Sequence, residues 1–530
     1  MSNQCMYIII DALRYDALSN QKNTEYLFPN LNRVINKGFL KKVIANAQST
    51  QFVLPSLFSL TYPLDYGGYN NGIRNRPESY VESIKKSGYS TYLMASCNQM
   101  GIGTGYDRGF DHVLTTSDFR VLLEQKIHRT LLYEIELYKK NKQSKEEMLK
   151  VLKKEFIIVL RSLRAIIVNQ DKSLWPKKLK IINERIAKGC EAEEKLLIEN
   201  PELVAEKMWS VPAGMYWYLL GKRKPYPFLY LYKRIISAFS WRFKKIVSKQ
   251  TIWPFLIYGH YPVKIGEMIK SISEKITSIK YNKWHMHLHI MDVHDCRSIN
   301  KPLHILNRLK YFPKWFVARV TGRSNRRFLY DSAAMYVDEK LGLLFSHLEK
   351  EGILNNMTIL ITADHGAQFA ESPRKKFGIG YRTHYEDIDI PLIMMNAKDN
   401  PTKGLHDSMS ITASYLDTLG IELHKSYKGM SVFKGSKDVI ISENCGHGNA
   451  DLKRRDIYFT VTSSKFKMMT VLSGSNLKID QLYDVEKDMK EINNLVDDGS
   501  YIKIINELKF FLYKERNELF KLRDVSFEYK

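Results

Sequence analysis

Short apolar runs alternate with amphipathic stretches in two separate parts of the chain. In residues 1–115, apolar runs typical of strands are followed by segments whose apolar residues have helical spacing. The predicted strands are 7–10, 42–45 and 90–95, and the predicted helices are 28–37, 55–60 and 80–87. The second of these helices is expected to begin at Pro55, because proline is favoured in a first turn. This alternation predicts a parallel sheet with helices on both faces.

The same alternation returns in residues 281–430, with strands predicted at 287–291, 358–362 and 392–395 and a long helix at 328–348. Residues 116–280 between the two parts are rich in lysine, poor in glycine and helical in their apolar spacing. Residues 431–530 predict a smaller α+β unit that closes with an amphipathic helix at 501–522. We therefore predict an α/β core, 1–115 and 281–430, with a helical insertion, 116–280, and a C-terminal subdomain, 431–530.

Composition narrows the class of protein. The chain has 530 residues, 44% of them hydrophobic, which is enough to bury a substantial core. Its five cysteines are scattered without CxxC spacing, which argues against a disulfide framework and a thiolate metal site. The N-terminus enters a strand without a signal-peptide pattern, and no apolar run reaches the roughly 18–20 residues of a spanning helix. We expect a cytoplasmic protein that does not span a membrane.

The net charge of +24 is concentrated in the predicted insertion. Residues 121–280 carry 32 Lys and Arg against 16 Asp and Glu, and the segment 221–249 has nine basic residues, no acid and interleaved aromatics. Three interpretations are open: a solvated helical face, a nucleic-acid site, or a surface for an anionic membrane or a polyanionic substrate. Because no nucleic-acid motif accompanies the segment, we predict peripheral contact with the anionic inner face of a membrane instead.

Carboxylates and imidazoles stand at the ends of several predicted strands. Asp11 follows the first strand and Asp364-His365 follows the strand at 358–362, while Asp292 and His294 follow the strand at 287–291. His384 precedes a further apolar segment. Open α/β sheets bind their ligands at the carboxyl ends of strands, so these side chains should gather at one edge. Such a donor set suits a divalent cation.

The motifs at these positions resemble those of the alkaline phosphatase/sulfatase superfamily, in its sulfatase-like branch. The similar stretches are YIIIDALRYDAL at 7–18, FPNLNRVINKG at 28–38, GYDRGFDHV at 105–113, TILITADHG at 358–366, HYEDIDIPLIM at 384–394 and LYDVEKDMKEINNLVDD at 482–498. The resemblance implies an alkaline phosphatase-like core, with a central, mostly parallel sheet flanked by helices.

The resemblance also implies site residues. Asp11, Asp364 and His365 would hold a divalent metal, which could be Zn, Mn, Mg or Ca. The side chains of Asp292, His294 and His384, with Arg14, would bind the oxyanion of the substrate, protonate the leaving group or hold a second metal. We expect at least one of His287 and His289 to point into helix packing, and we treat His289 as a non-ligand.

The nucleophile position departs from the family pattern. In NAQSTQFVLPSLFSLTYPLDYGG, residues 46–68, the slot of a formylglycine precursor holds Val53, and Leu57 stands where arginine is expected. The sequence therefore predicts no formylglycine maturation. Thr50 is the favoured nucleophile and a further metal ligand, with Ser49, Ser56 or no nucleophile as alternatives.

The predicted function is a metal-dependent hydrolase or transferase for phosphate-type esters, with sulfate as the second choice. By analogy with the family, its substrate could be an anionic or lipid-linked glycan, as in surface polysaccharide biosynthesis. The alternative is a non-catalytic sulfatase-like binding protein that has lost its nucleophile.

Overall fold

The structure is a computed structural model that describes residues 2–96, 103–115, 119–169, 177–223, 265–294, 327–369, 381–397 and 399–525. Between these ranges it describes residues 172, 175, 232, 235–236, 238–239, 296, 309–313 and 316. Most of the basic segment 221–249 lies outside the described residues, so its membrane contact stays a prediction. Among the described helices, none combines the length and the apolar character needed to cross a bilayer.

A seven-stranded sheet forms the centre of the molecule. Its strands are β1 (Gln4–Ile10), β2 (Gly38–Ile44), β3 (Ser90–Ala95), β4 (His112–Thr115), β5 (Trp284–Ile290), β6 (Thr358–Thr362) and β7 (Asp389–Met395). The order across the sheet is β2-β7-β6-β1-β5-β3-β4. Only β7 runs against its neighbours, and the other pairs are parallel. The predicted α/β fold with a mostly parallel sheet is confirmed.

Helices cover this sheet and build the insertion and the C-terminal unit. They are α1 (Gln21–Leu27), α2 (Pro29–Asn36), α3 (Thr50–Phe58), α4 (Tyr80–Lys86), α5 (Phe119–Lys126), α6 (Leu132–Lys139), α7 (Lys145–Asn169), α8 (Lys177–Glu199), α9 (Pro201–Ser210), α10 (Ile265–Ile279), α11 (Arg327–Lys350), α12 (Tyr385–Ile388), α13 (Ser408–Thr418), α14 (Ile502–Glu515) and α15 (Asn517–Lys521). A π-helical turn, Ile127–Leu131, joins α5 to α6.

Strand β1 fixes the geometry of the site because it lies in the middle of the sheet. Its residues from Cys5 to Ile10 are all buried, as expected for an apolar parallel strand covered on both faces. In the register, Ile10 pairs with Ile290 of β5 and Ile9 pairs with Thr362 of β6. The residues that follow these three strands therefore emerge side by side at one edge of the sheet.

Helix α3 begins earlier than the sequence predicts. Proline was expected to open the helix, but the helix starts at Thr50 and Pro55 lies inside it. The helix tolerates this proline because it is only nine residues long and its flanking residues are buried, so tertiary packing outweighs the lost backbone hydrogen bond. As a consequence, Thr50 occupies the first helical position, at the edge of the sheet.

The insertion has a hydrophobic core of its own. Apolar side chains of α5 to α9 pack around Leu152, Phe156, Leu160 and Leu163 of α7. Helix α10, which the sequence places within 116–280, contributes its buried residues to the main core instead. There it packs against α11.

The C-terminal unit is a four-stranded antiparallel sheet with two helices. Its strands are β8 (Val439–Asn444), β9 (Ile457–Ser463), β10 (Phe466–Ser473) and β11 (Asn476–Asp484). The single helix predicted at 501–522 is broken between α14 and α15 at Arg516. The guanidinium of Arg516 forms buried ion pairs with Glu443 and Asp65. These ion pairs tie the unit to the core.

Candidate active site

Two carboxylates from neighbouring strands meet at the edge of the sheet. Asp11 comes directly after β1, and Asp364 follows β6 by two residues; both are fully buried. Between β1 and the next helix, Ala12 adopts a left-handed backbone with φ of 63°, which is unfavourable for a residue with a Cβ. In this conformation the Ala12 N–H donates to Asp364 Oδ1 over 3.1 Å. The strained turn thereby links the two carboxylates.

His365 presents one ring nitrogen to these carboxylates. Its Nδ1 lies 2.6 Å from the carbonyl oxygen of Gly366, which can only accept, so Nδ1 carries a proton and Nε2 is the ring nitrogen that faces the carboxylates. That Nε2 lies 3.6 Å from both Asp11 Oδ1 and Asp364 Oδ2. Burial would lower the pKa of His365, but the carboxylates raise it. The negative field that favours an imidazolium also favours a bound cation.

Gly366 allows a close approach of two chain segments. A Cβ on this residue would lie 2.0 Å from the carbonyl oxygen of Glu386, so no larger side chain fits. The Gly366 N–H donates to the carbonyl of Asp387 over 2.7 Å. This contact brings the segment that contains His384 next to His365.

The structure places His289 beside Asp11 and Asp364, among the side chains whose ligand atoms converge, whereas the sequence analysis treats it as a non-ligand. Its Nε2 lies 3.1 Å from Asp11 Oδ2. Residues two apart in a strand share a face, so His287 and His289 point to the same side of β5 rather than to opposite sides. His287 lies further from the strand end, where Tyr80 Oη is 2.6 Å from its Nδ1 and burial holds its pKa well below the usual value.

Thr50 reaches the same cluster from helix α3. Its hydroxyl donates to Asp11 Oδ2 over 3.0 Å and lies 3.3 Å from His365 Nε2. The three other candidate positions for the nucleophile show no such contact in the described structure. Ser49 is the N-cap residue of α3, Ser56 donates to the carbonyl of Thr61 over 2.9 Å, and Val53 is buried in the main core.

Ligand atoms converge in two overlapping sets of side chains among the described residues. Asp11, His294 and His365 form one set, and Asp11, His289 and Asp364 form the other; within each set the atoms lie within 4.8 Å of one another. Burial would raise the pKa of Asp11, but the imidazoles of His294, His289 and His365 lower it below the usual range. Each set combines side chains from the ends of β1, β5 and β6.

Two oxygens of this cluster test whether a metal fits. Asp11 Oδ1 and Asp364 Oδ2 are buried and have no hydrogen-bond partner among the described residues. A buried carboxylate oxygen without a partner costs free energy, and metal coordination removes that cost. The donors are carboxylates and neutral imidazole, which suit a divalent cation. The residues present therefore fit a metal ion held by Asp11, Asp364 and His365.

Two predicted substrate-binding residues have other contacts. Arg14 is buried and forms an ion pair with Asp16, which also pairs with Arg327. Asp292 Oδ2 accepts from the N–H of Ile265 over 3.1 Å at the start of α10, and it is outside both converging sets. These contacts hold the side chains of Arg14 and Asp292 in place, and the binding of substrate or of a second metal by them stays a prediction.

His384 contacts a glutamate of the C-terminal unit. Its Nδ1 lies 2.7 Å from Glu491 Oε2, and Glu491 also forms a buried ion pair with Lys467. Burial would raise the pKa of Glu491, but Lys467 and His384 lower it to about 2, so the carboxylate stays charged. Glu491 belongs to the late motif at 482–498, for which the sequence suggests no role.

We expect Glu491→Gln to destabilise the protein by about 3–5 kcal/mol, because it leaves the Lys467 ammonium buried without a counter-ion. Urea denaturation followed by circular dichroism measures this loss. The double variant Lys467→Met/Glu491→Leu replaces the pair with apolar groups and should recover most of the stability. If the glutamine variant were as stable as the wild type, the charge of Glu491 would not be needed to compensate the buried Lys467 ammonium.

Comparisons with known proteins find similarity to sulfatases. The Sulfatase family model matches residues 236–421. An arylsulfatase of Clostridium perfringens is 26% identical over 211 residues, which is 37% of this chain and 42% of that protein. The chain spans less than half of the length of the curated relatives it matches.

Solved structures share the fold over nearly the whole chain. The phosphonate monoester hydrolase of Agrobacterium radiobacter superposes with a TM-score of 0.54 and 13% identity, covering 98% of this chain and 96% of that one. A structure in complex with its substrate D-glucosamine-2-N,6-O-disulfate has a TM-score of 0.51 and 14% identity, covering 98% of both chains. The resemblance to the alkaline phosphatase/sulfatase superfamily that the motifs indicate is confirmed.

Proposed function

We propose that the protein is a metal-dependent hydrolase or transferase of sulfate or phosphate-type esters, with Thr50 as its nucleophile. The observation that carries this proposal is the position of the Thr50 hydroxyl, 3.0 Å from Asp11 Oδ2 and 3.3 Å from His365 Nε2, at the N-terminus of α3. A helix N-terminus favours an anionic group. The names of the relatives, which include sulfatases and phosphonate monoester hydrolases, support an ester in general and leave sulfate at least as well supported as phosphate.

Asp11, Asp364 and His365 would hold a metal ion, and His289 and His294 lie close to Asp11. Such an ion would neutralise charge on the ester oxygens and lower the pKa of the attacking hydroxyl. The mixture of carboxylates and imidazoles favours zinc or manganese over magnesium and calcium, which prefer oxygen ligands.

In the proposed reaction, the attack and the protonation of the leaving group are assigned to residues of this chain. The Thr50 hydroxyl gives its proton to a neighbouring base and its oxygen bonds to the sulfur or phosphorus, while the bond from that atom to the leaving oxygen breaks. His384 or His294 gives a proton to the departing alkoxide. Water, or an acceptor hydroxyl in a transferase, then displaces Thr50 from the covalent intermediate and restores the enzyme.

A substrate panel tests the proposal. Purified protein with added Mn²⁺ or Zn²⁺ is assayed with 4-nitrophenyl sulfate, 4-nitrophenyl phosphate and a 4-nitrophenyl phosphonate monoester, and a chelator is added to a parallel sample. We expect chelator-sensitive release of 4-nitrophenol from at least one of these esters. Full metal occupancy without turnover of any sulfate, phosphate or phosphonate ester would support the alternative, a sulfatase-like binding protein.

A further inference from the structure

A cleft of about 730 Å³ lies between the insertion and the C-terminal unit. One wall is formed by five of the residues from 128 to 136 together with Trp209 of the insertion, and the other is formed by residues 447–449 and Arg455. The volume is within the range of pockets that bind small organic ligands. Because both walls lie outside the central sheet, the cleft is not part of the cluster around Asp11.

The cleft adjoins the helix that carries Thr50. Arg129 Nη1 donates to Gln51 Oε1 over 2.6 Å, and Gln51 is the residue after Thr50. On the opposite wall, the ring of His447 packs 5.4 Å from the ring of Phe52, two residues after Thr50. Both walls therefore contact the first turn of α3. A substrate whose ester lies at Thr50 has its remaining part directed toward this cleft or away from the protein.

The charge of the cleft is positive. Arg129 stands on one wall and Arg455 on the other. Arg455 Nη1 donates to the backbone carbonyls of His447 and Asn449 over 2.9 Å and 2.8 Å, and no carboxylate among the described residues forms an ion pair with it. The acid on the lining, Glu136, is paired with Lys140. Two guanidinium groups facing one space favour an anionic ligand.

Two aromatic side chains add flat apolar surface to the cleft. Trp209 is 46% exposed, although large aromatic side chains are usually well covered. Tyr133 is fixed by its hydroxyl, which donates to Asp451 Oδ2 over 3.1 Å. Aromatic faces beside fixed charges suit a ring that carries an anionic substituent.

We propose that this cleft binds the part of the substrate beyond the reacting ester, and that it selects a sugar ring with a second anionic group. The inference rests on the proposed function, because it places the ester at Thr50. It adds the substrate class: an ester of an acidic sugar, recognised by Arg129 of the insertion and Arg455 of the C-terminal unit.

Matched pairs of sugar esters test this inference in the presence of Mn²⁺. Glucosamine 6-sulfate is compared with glucosamine 2-N,6-O-disulfate, and glucose 6-phosphate with glucose 1,6-bisphosphate; affinity is measured by calorimetry and ester cleavage by ion chromatography. We expect the doubly charged member of at least one pair to bind about tenfold or more tightly than its partner, since one added ion pair in a cleft contributes on the order of 1.4 kcal/mol or more. Arg129→Gln/Arg455→Gln should abolish this preference, and 0.5 M salt should weaken it.

The control is Lys453→Gln, which removes an exposed neighbouring cation that is not on the lining and should leave the preference intact. Equal affinity for both members of each pair in the wild type, or an unchanged preference in the double variant, would overturn the inference. Selective binding without release of sulfate or phosphate would contradict the proposed function and leave the inference standing. Ester release without selectivity would support the proposed function and overturn the inference.

Discussion

Thr50→Ala should reduce ester turnover by roughly 10⁴-fold or more, the scale of losses when a nucleophile is removed from an enzyme. The Thr50 hydroxyl is the only side-chain oxygen of the predicted nucleophile candidates that the structure places beside Asp11 and His365. The variant loses one hydroxyl and one methyl group from a helix terminus, so the carboxylates that hold the metal stay in place. We therefore expect unchanged metal content in the same preparation. Steady-state kinetics and elemental analysis by mass spectrometry give both quantities.

Matched variants separate the nucleophile from its surroundings. Thr50→Ser keeps a hydroxyl at the same position and should retain measurable activity. Ser49→Ala alters the neighbouring residue, whose side chain makes no capping hydrogen bond, and should have a small effect. If Thr50→Ala kept wild-type turnover, Thr50 could not be the nucleophile and the assignment would have to be abandoned.

Asp11→Ala should remove the bound metal and abolish activity, which is the second large effect that we expect. Asp11 takes part in both sets of converging ligand atoms, and its two oxygens face Thr50, His289 and His365. Without Asp11, one carboxylate, Asp364, and the imidazoles remain as donors. One negative charge does not balance a divalent cation, so the site should bind the metal weakly. Elemental analysis of dialysed protein should show about one ion per chain in the wild type and almost none in the variant.

Asp292→Asn is the control for this experiment. The sequence assigns Asp292 to the substrate or to a second metal, whereas the structure shows its Oδ2 accepting from the N–H of Ile265. We expect this variant to keep the metal. If Asp292→Asn lost the metal while Asp11→Ala retained it, the ligand set would be wrong.

Much of the core could be predicted because local signals agree with its tertiary environment. Apolar runs buried on both faces identify β1 and its neighbours, and the carboxylates within two residues of the ends of β1 and β6 identify Asp11 and Asp364. Parallel register then brings these residues together without further information. The resemblance to the superfamily supplied what periodicity could not, namely which of the many polar residues share one cation.

Other features depend on tertiary contacts that leave no local signal. Pro55 indicates a helix start, but packing of the preceding residues extends α3 back to Thr50. The two-residue period of a strand places His287 and His289 on the same face of β5. Which of them reaches Asp11 depends on the register of β5 with β1, which the sequence does not show. The contact of Glu491 with His384 joins residues 107 positions apart. The walls of the basic cleft come from segments separated by more than 200 residues, so only the folded chain reveals it.

The most direct test of the shared cation is a crystal structure of the wild-type protein grown with Mn²⁺ and measured at a wavelength where manganese scatters anomalously. The account predicts one strong anomalous peak roughly 2.0–2.3 Å from oxygens of Asp11 and Asp364 and from Nε2 of His365, with the Thr50 hydroxyl beside it. A peak elsewhere, or none at this edge of the sheet with millimolar Mn²⁺ present, would contradict the account.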